Sequence, residues 1–196
     1  MNHQALKEAI SEDIETIKNL NPDIIPAKIY YSKLLTLFIS GFWKIWLIVS
    51  ITIAYAGINH PSNEGLAREA ASQVMSESTL MAFFLSFGAM LLLSPSINFF
   101  ILFRFHLESK LKTGALLVRK FKHITYLFFG FFILLCALFG SYGESAAIFM
   151  IVVFSFFGSL AATYFFVKME LNRIGISTIF TIFDIYFNKG NKLSIE

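Results

Sequence analysis

Cysteine is nearly absent from this 196-residue sequence, which contains only Cys136. A single cysteine cannot form a disulfide bond within the chain, and it has no second thiol with which to share a metal ion. Because Cys136 lies inside an apolar run, we interpret it as a small residue of a core or of a lipid-facing surface. The sequence therefore predicts neither a disulfide framework nor a cysteine metal centre.

Motifs of known catalytic chemistry are also missing. The sequence contains no HExxH, no phosphate-binding loop and no GxSxG. Its four histidines are scattered, at His3, His60, His106 and His123. His106 lies two residues from both Arg104 and Glu108, and this spacing does not place the three on one helical face. We therefore predict that the protein is not an enzyme and that it binds no cofactor and no metal.

Acidic residues are absent from the long apolar runs of the chain. A carboxylate within the membrane is what a proton-coupled transporter needs, and small four-span multidrug exporters carry a glutamate there. The sequence also shows no internal repeat and no pair of broken helices typical of inverted-repeat transporters. These absences disfavour a proton-coupled carrier.

The first 20 residues lack the basic-then-apolar order of an export signal. They contain four acidic residues instead, Glu8, Glu12, Asp13 and Glu15. We expect the N-terminus to be retained and the first apolar run to act as both insertion signal and anchor.

What the sequence does have is four long apolar runs, at residues 34–58, 79–103, 124–142 and 146–167. Each is close to or above the roughly 20 residues that an α-helix needs to cross a hydrocarbon core about 30 Å thick. The composition agrees, since 56% of the residues are hydrophobic and the mean hydropathy is +0.66. The sequence predicts an all-α polytopic membrane protein with four transmembrane helices, and its 24 phenylalanines are assigned mainly to lipid-facing positions.

The distribution of charge predicts the orientation of these helices. Between the second and third runs, residues 104–123 hold six bases and one acid, whereas residues 59–78 hold one base and three acids. Basic residues of short loops stay in the cytoplasm. We expect both termini to be cytoplasmic. The chain then divides into a cytoplasmic helix and linker (1–26), a membrane domain (27–173) and a cytoplasmic tail (174–196).

Residues 4–20 are predicted to form an amphipathic helix with acids on its polar face. Its apolar residues recur at spacings of three and four, at Leu6, Ile10, Ile14, Ile17 and Leu20. An amphipathic helix that binds anionic lipid should be basic. We therefore expect this acidic helix to dock on protein: on the basic loops of its own chain, on a second copy, or on a partner.

Lys44 poses the main question about the first transmembrane helix. Either residues 28–41 lie along the interface and the span is 41–58, or the helix is long and tilted. In the second case Lys44 lies deep in the membrane, where a charge costs about 2.5–3.5 kcal/mol. We favour the view that Lys44 extends to the headgroups, because Trp43 and Trp46 flank it.

Two further features concern helix packing. Pro95, between two serines, predicts a kink, which acts as a fixed bend or as a hinge. The fourth run carries small residues at spacings of three and four, among them Gly158 and Ala162, which favour close approach of helices within or between subunits. Residues 104–123 are predicted to extend the second and third helices beyond the membrane, with a break near residues 113–114.

The basic residues of this loop are expected to contact anionic lipid headgroups or the acidic N-terminal helix, and nothing in the pattern indicates nucleic acid binding. After the fourth run, residues 174–187 are apolar but too short to span a bilayer. They carry a polar stripe of Ser177, Thr181 and Asp184. We interpret this segment as an interfacial cytoplasmic helix and as a surface for a partner.

Three classes of function are therefore considered. The first is a non-enzymatic membrane protein that binds and modulates another membrane machine, and we favour it. The second is a channel or transporter subunit, in which Lys44, Pro95 and the hydroxyl-rich fourth helix would be the working parts. The third is a lipid-acting membrane enzyme that uses His106 and Glu108.

The overall layout resembles the entry-exclusion inner-membrane proteins of conjugative plasmids, the TraS type. The resemblance lies in the acidic N-terminal helix, four spans rich in Phe and Ile, the basic loop 104–123 and the lack of catalytic groups. It implies a protein of the recipient cell that recognises a conjugation component and blocks redundant DNA transfer. It assigns no individual binding residue, because no motif of the family aligns with this chain.

Overall fold

The computed structural model describes residues 3–18, 25–59, 71–143 and 147–174. All regular structure in these residues is helical. The five helices are α1 (His3–Lys18), α2 (Ala27–Asn59), α3 (Ala71–His106), α4 (Gly114–Gly140) and α5 (Ile148–Ile174). Helices α2 to α5 are each long and apolar enough to cross a membrane. The predicted all-α fold, with four helices long and apolar enough to cross a membrane and an N-terminal helix, is therefore confirmed for the described residues. The second amphipathic helix, predicted at residues 174–187, lies outside the described residues apart from Ile174.

The helices are longer than the apolar runs that predicted them. Helix α2 is a single helix of 33 residues, about 50 Å at the usual rise per residue. Residues 27–59 form one continuous helix, as the second alternative for the first span requires, and the position of this helix in the bilayer stays a prediction. Helix α5 likewise continues beyond the apolar run, to Ile174.

Helices α2 and α3 pack as an antiparallel pair joined by contacts along their length. The Tyr30 hydroxyl donates to Asn98 Oδ1 at 2.9 Å near one end. Towards the other end the Phe42 and Phe83 rings meet edge-to-face, with centroids 5.2 Å apart, and the indole of Trp46 donates to a backbone carbonyl of α3. Aromatic pairs of this kind contribute about 0.5–1.5 kcal/mol beyond their buried area.

Helices α4 and α5 form the second antiparallel pair. Phe132 packs edge-to-face on Phe156, and Lys120 at the start of α4 forms an ion pair with Glu170 near the end of α5 at 2.8 Å. The main core lies where this pair meets α2 and α3. It contains Ile45, Val49, Ile53, Met90, Phe132, Cys136 and Val152 among its buried residues.

The outer surfaces of the helices are apolar as well. Ile51, Phe84 and Phe154 are each more than 60% exposed. In water this arrangement would be unstable, whereas in a bilayer these side chains face acyl chains of similar polarity. The exposed apolar surface and the helix lengths together describe a multi-pass membrane protein.

Gly158 of α5 packs against α4. A Cβ atom at this position would lie 3.2 Å from Leu135 Cδ1, so at Gly158 the small residues of the fourth run allow a close contact within the chain. Replacing Gly158 with leucine is expected to destabilise the protein by about 1–3 kcal/mol, because the larger side chain must push the helices apart. Thermal unfolding in detergent measures this effect.

Gly88 provides the matched control, because it is exposed and a Cβ there would meet nothing within 4 Å. Gly88→Leu should leave the unfolding temperature unchanged or raise it slightly, because a glycine in a helix interior is itself destabilising. Equal unfolding temperatures for Gly158→Leu and Gly88→Leu would contradict the packing role of Gly158.

Candidate functional site

Helix α1 docks on the rest of the chain through one face. Ile10, Asp13, Ile14 and Ile17 follow spacings of three and four and therefore lie on the same side of the helix. Ile17 and Asp13 are each 1% exposed, and Ile10 and Ile14 are partly buried. The expectation that the acids occupy only the outer face is therefore wrong for Asp13, which lies among the isoleucines.

The docking surface is the connection between α3 and α4. After α3 ends at His106, residues 107–113 form consecutive turns closed by backbone hydrogen bonds, including Leu111 N–H to Leu107 O at 3.0 Å. Thr113 is the N-cap residue of α4. The break predicted near residues 113–114 is confirmed. We use the name basic end for this side of the bundle: the connection 107–113 with the adjoining ends of α2, α3 and α4.

The Asp13 carboxylate makes the buried polar contacts between α1 and this connection. Asp13 Oδ1 accepts the backbone N–H of Lys112 at 2.8 Å, and Asp13 Oδ2 accepts the backbone N–H of Thr113 at 2.9 Å. The Thr113 hydroxyl also donates to Oδ2, at 2.5 Å. These donors lie at the N-terminus of α4, where free N–H groups and the helix dipole favour a negative charge. Asp13, which lies about 100 positions earlier in the sequence, therefore caps the N-terminus of α4.

An exposed ion pair lies beside this buried contact. Lys112 Nζ pairs with the carboxylate of Glu12, and both side chains are more than half exposed. The hydrogen bond and charge of Glu12 raise the pKa of Lys112 above its ordinary value. Exposed pairs of this kind contribute about 0–1 kcal/mol, so Asp13 rather than Glu12 provides the main polar contact.

Apolar contacts complete the docking. Ile17 belongs to a buried cluster with Phe103, Leu107, Leu111, Leu117 and Val118, and Ile10 and Ile14 pack against it. Of the three docking surfaces predicted for the acidic helix, the basic connection of its own chain is the one observed. Leu6 lies within α1, but its side chain is outside the described part of the structure.

Two further ion pairs neutralise bases at this end. Arg104 Nε pairs with Glu108 Oε2 at 2.9 Å on one side of the α3 terminus. Lys120 pairs with Glu170, as described above. Three of the bases in residues 104–123 are therefore balanced by carboxylates of the same chain.

Lys44 lies at the midpoint of α2 with an exposed side chain. Its ammonium group is 5.6 Å from the centroid of the Phe129 ring on α4. A cation over an aromatic face is stabilised by the ring quadrupole, by up to about 2 kcal/mol when water is excluded. The contact gives the charge a partner on the neighbouring helix. Its depth in the bilayer remains a prediction.

Pro95 lies inside α3, and its side chain is exposed. Ala162 of α5 is partly buried, close to Gly158. Within the described residues, no hydrogen bond, ion pair or ring contact joins Lys44, Pro95 or Ala162 to α1. Ser177, Thr181 and Asp184 lie outside the described residues.

A line of hydroxyl groups runs along the buried face of α5. Ser155, Ser159 and Thr163 are spaced by four residues and are all buried. Ser159 Oγ donates to the Phe156 carbonyl at 2.7 Å, and Ser155 lies beside the Cys136 thiol, whereas the Thr163 hydroxyl has no hydrogen-bond partner among the described residues. Cys136 is buried beside this line, in agreement with its interpretation as a core residue.

His106 and Glu108, the two residues considered for a lipid-acting enzyme, both contact groups of their own chain. The His106 ring is buried and its Nδ1 lies 3.0 Å from the Leu102 carbonyl, so that nitrogen donates to the backbone of its own helix. Within the described residues no three His, Cys, Asp or Glu side chains come close enough to hold a metal ion. What the basic end offers is hydrogen bonds, ion pairs and apolar contacts, which are means of binding.

Comparison with known proteins adds no relative: no protein-family model, no curated protein and no solved structure matches this chain.

Proposed function

We propose that this chain is a bacterial inner-membrane protein, with both termini in the cytoplasm, that binds and modulates another membrane machine. The observation that carries the proposal is the anchoring of α1. Its inner face is fixed by Asp13 and the isoleucines, so its outer face, with Glu8, Ser11 and Glu15 exposed, forms an ordered acidic surface. An ordered helix loses less conformational entropy when a partner binds than a free segment would.

The machine that we propose is the apparatus of conjugative DNA transfer. The support for this step is the layout shared with the entry-exclusion proteins: an acidic N-terminal helix, four apolar helices and a basic connection between the second and third of these. The bases of residues 104–123 support a cytoplasmic placement of the basic end. A blocking protein needs a binding surface and no reacting group, which fits the contacts available at the basic end.

A channel or transporter subunit is the alternative. The buried Thr163 hydroxyl, which has no hydrogen-bond partner within the described part of the chain, favours it together with the neighbouring buried hydroxyls of Ser155 and Ser159, because polar groups inside a bundle are typical of a pathway for a polar solute. Lys44 and Pro95 are exposed rather than directed into this line of hydroxyls. We therefore place the binding function first.

The test is mating efficiency. Recipient cells that produce this chain are expected to accept one member of a panel of conjugative plasmids far less often than recipients with an empty vector. Reversing the charges of the acidic surface, with Glu8→Lys and Glu15→Lys, should restore transfer, because a complementary basic surface on the partner would then be repelled. Transconjugant counts measure both effects.

Glu77→Lys supplies the control for charge reversal, since Glu77 is an exposed acid near the other end of α3. This variant should exclude the plasmid as well as the original chain does. Unchanged transfer of every plasmid in the panel, with the protein present in the membrane, would overturn the conjugation proposal. Restored transfer with Glu77→Lys would overturn the assignment of the surface to α1.

A further inference from the structure

The bases at the start of α4 fall into two groups. Lys120 faces α5 and pairs with Glu170. Arg119 and Lys122 are exposed, and neither forms an ion pair with any side chain that the structure describes. Among the described side chains, the base that faces the bundle is therefore paired with a carboxylate, and the two that face away from it are not.

These two bases share a helical face with apolar residues that face outwards. From Arg119 the face continues through Lys122 and Tyr126, which is 71% exposed, to Ile133 and Leu134, each more than half exposed. Arg119, Tyr126 and Ile133 are spaced by seven residues, or about two helical turns, and Lys122 and Leu134 lie to either side of them, so these residues share one side of α4. The charged part of this face is thus a direct continuation of its lipid-facing part.

The distances along the helix match the layers of a bilayer. Lys122 precedes the exposed Leu127 by five residues, or about 7.5 Å along the axis. The polar layer of each leaflet is about 5–7 Å thick, taking a total thickness of about 40–45 Å and a hydrocarbon core of about 30 Å. When the apolar face lies against acyl chains, Arg119 and Lys122 lie beside the headgroups.

The donors on this face suit a phosphate ester. An arginine guanidinium can donate two parallel hydrogen bonds to phosphate oxygens, and a lysine ammonium adds a point charge. The Tyr126 hydroxyl is available at the same boundary, where tyrosine is favoured. His123 contributes less, because its Nδ1 lies 2.8 Å from the Arg119 carbonyl and donates to it.

From these observations we propose that Arg119, Lys122 and Tyr126 form a binding site for the phosphate headgroup of an anionic phospholipid. The acyl chains of that lipid lie along the exposed apolar face of α4. The site is separate from the acidic surface of α1 and does not depend on the function proposed above.

The test measures lipid binding by the full chain purified in detergent. Phosphatidylglycerol is added in mixed micelles, and retained lipid is counted by native mass spectrometry over a range of lipid concentrations. The double variant Arg119→Gln and Lys122→Gln should bind about 25-fold more weakly, since each base near the surface contributes about fivefold. Phosphatidylcholine and inorganic phosphate should bind much more weakly than phosphatidylglycerol to the original chain.

A control with the same loss of charge is Arg104→Gln with Lys112→Gln, because both of these bases are already paired with carboxylates. It should keep most of the affinity for phosphatidylglycerol. The exchange Arg119→Lys with Lys122→Arg should also keep most of it, which separates loss of binding from loss of folding.

Three results would overturn the proposal. One is unchanged binding by the Arg119→Gln and Lys122→Gln variant. Another is an equal loss in the Arg104→Gln and Lys112→Gln control, which would indicate attraction by overall charge alone. The third is displacement of the lipid by inorganic phosphate at similar concentration, which would indicate a site for free phosphate.

Discussion

Asp13→Ala is expected to release α1 from the bundle. The change removes the acceptor for three donors, the backbone N–H groups of Lys112 and Thr113 and the Thr113 hydroxyl. Hydrogen bonds to a charged group contribute about 1.5–3 kcal/mol each, and unpaired buried donors add a penalty. We expect the docking of α1 to weaken by about 3 kcal/mol or more. A 16-residue helix is marginal in isolation, so α1 should also lose helical structure once it is free.

Hydrogen exchange of the full chain in detergent measures this release. Amides of α1 and of the turns at 107–113 should exchange much faster in the variant, while amides in the middle of α4 and α5 should not change. Glu12→Ala is the matched control, because Glu12 is the neighbouring acid and its ion pair with Lys112 is exposed. Protection of α1 in Asp13→Ala equal to that in the original chain would show that the carboxylate is not the anchor.

Gly114→Ala is expected to disrupt the connection itself. A Cβ atom at this position would lie 2.4 Å from the Glu108 carbonyl oxygen and 2.9 Å from the Leu107 carbonyl oxygen. Both contacts are with backbone, which cannot move aside by a change of rotamer. Overpacking of this kind costs about 1–3 kcal/mol and occasionally more, and we expect the upper part of that range. The turns at 107–110 must shift, and the donors that hold Asp13 shift with them.

Thermal unfolding in detergent, together with hydrogen exchange of α1, tests this expectation. Gly130→Ala is the control, because Gly130 lies in the same helix and a Cβ there would meet nothing within 4 Å. Removing a glycine from a helix interior stabilises by about 0.5–1 kcal/mol, so the control should unfold at the same or a higher temperature. If Gly114→Ala and Gly130→Ala behaved alike, the close approach at Gly114 would have no energetic importance.

The sequence was informative about the helices because lipid imposes a simple requirement. A stretch of about 20 apolar residues must be helical in a bilayer, since its backbone groups have no other partners. Hydropathy therefore located all four long helices. It could not locate their ends, because residues such as Ala27 to Lys33 and Met75 to Ser78 are helical without being strongly apolar. Helix ends outside the hydrocarbon depend on local contacts rather than on polarity.

Asp13 shows why the site was only partly predictable. The isoleucines of α1 have the correct period, and their docking on a basic connection was among the predicted outcomes. Asp13 was assigned to the polar face because it is an acid among acids. Its spacing of three from Ile10 and four from Ile17 was a signal for the opposite assignment. The identity of its partner could not be inferred, because backbone N–H groups have no sequence signature.

Lys44 illustrates a different limit. Its flanking tryptophans favour a position near the headgroups, and the uninterrupted α2 places it halfway along 33 residues. The contact with Phe129 depends on how α2 and α4 pack together. Packing between distant segments is set by side-chain shape along both helices, and a single sequence carries little readable information about it.

The contact between Asp13 and Thr113 also has a consequence for biosynthesis. The two residues are separated by 100 positions, so α1 is made long before the surface that it occupies. At about 5–20 residues per second, the interval is roughly 5–20 s. During that interval α2 and α3 are synthesised, and the surface that covers Ile17 does not yet exist. Docking of α1 therefore cannot occur before Thr113 has been synthesised.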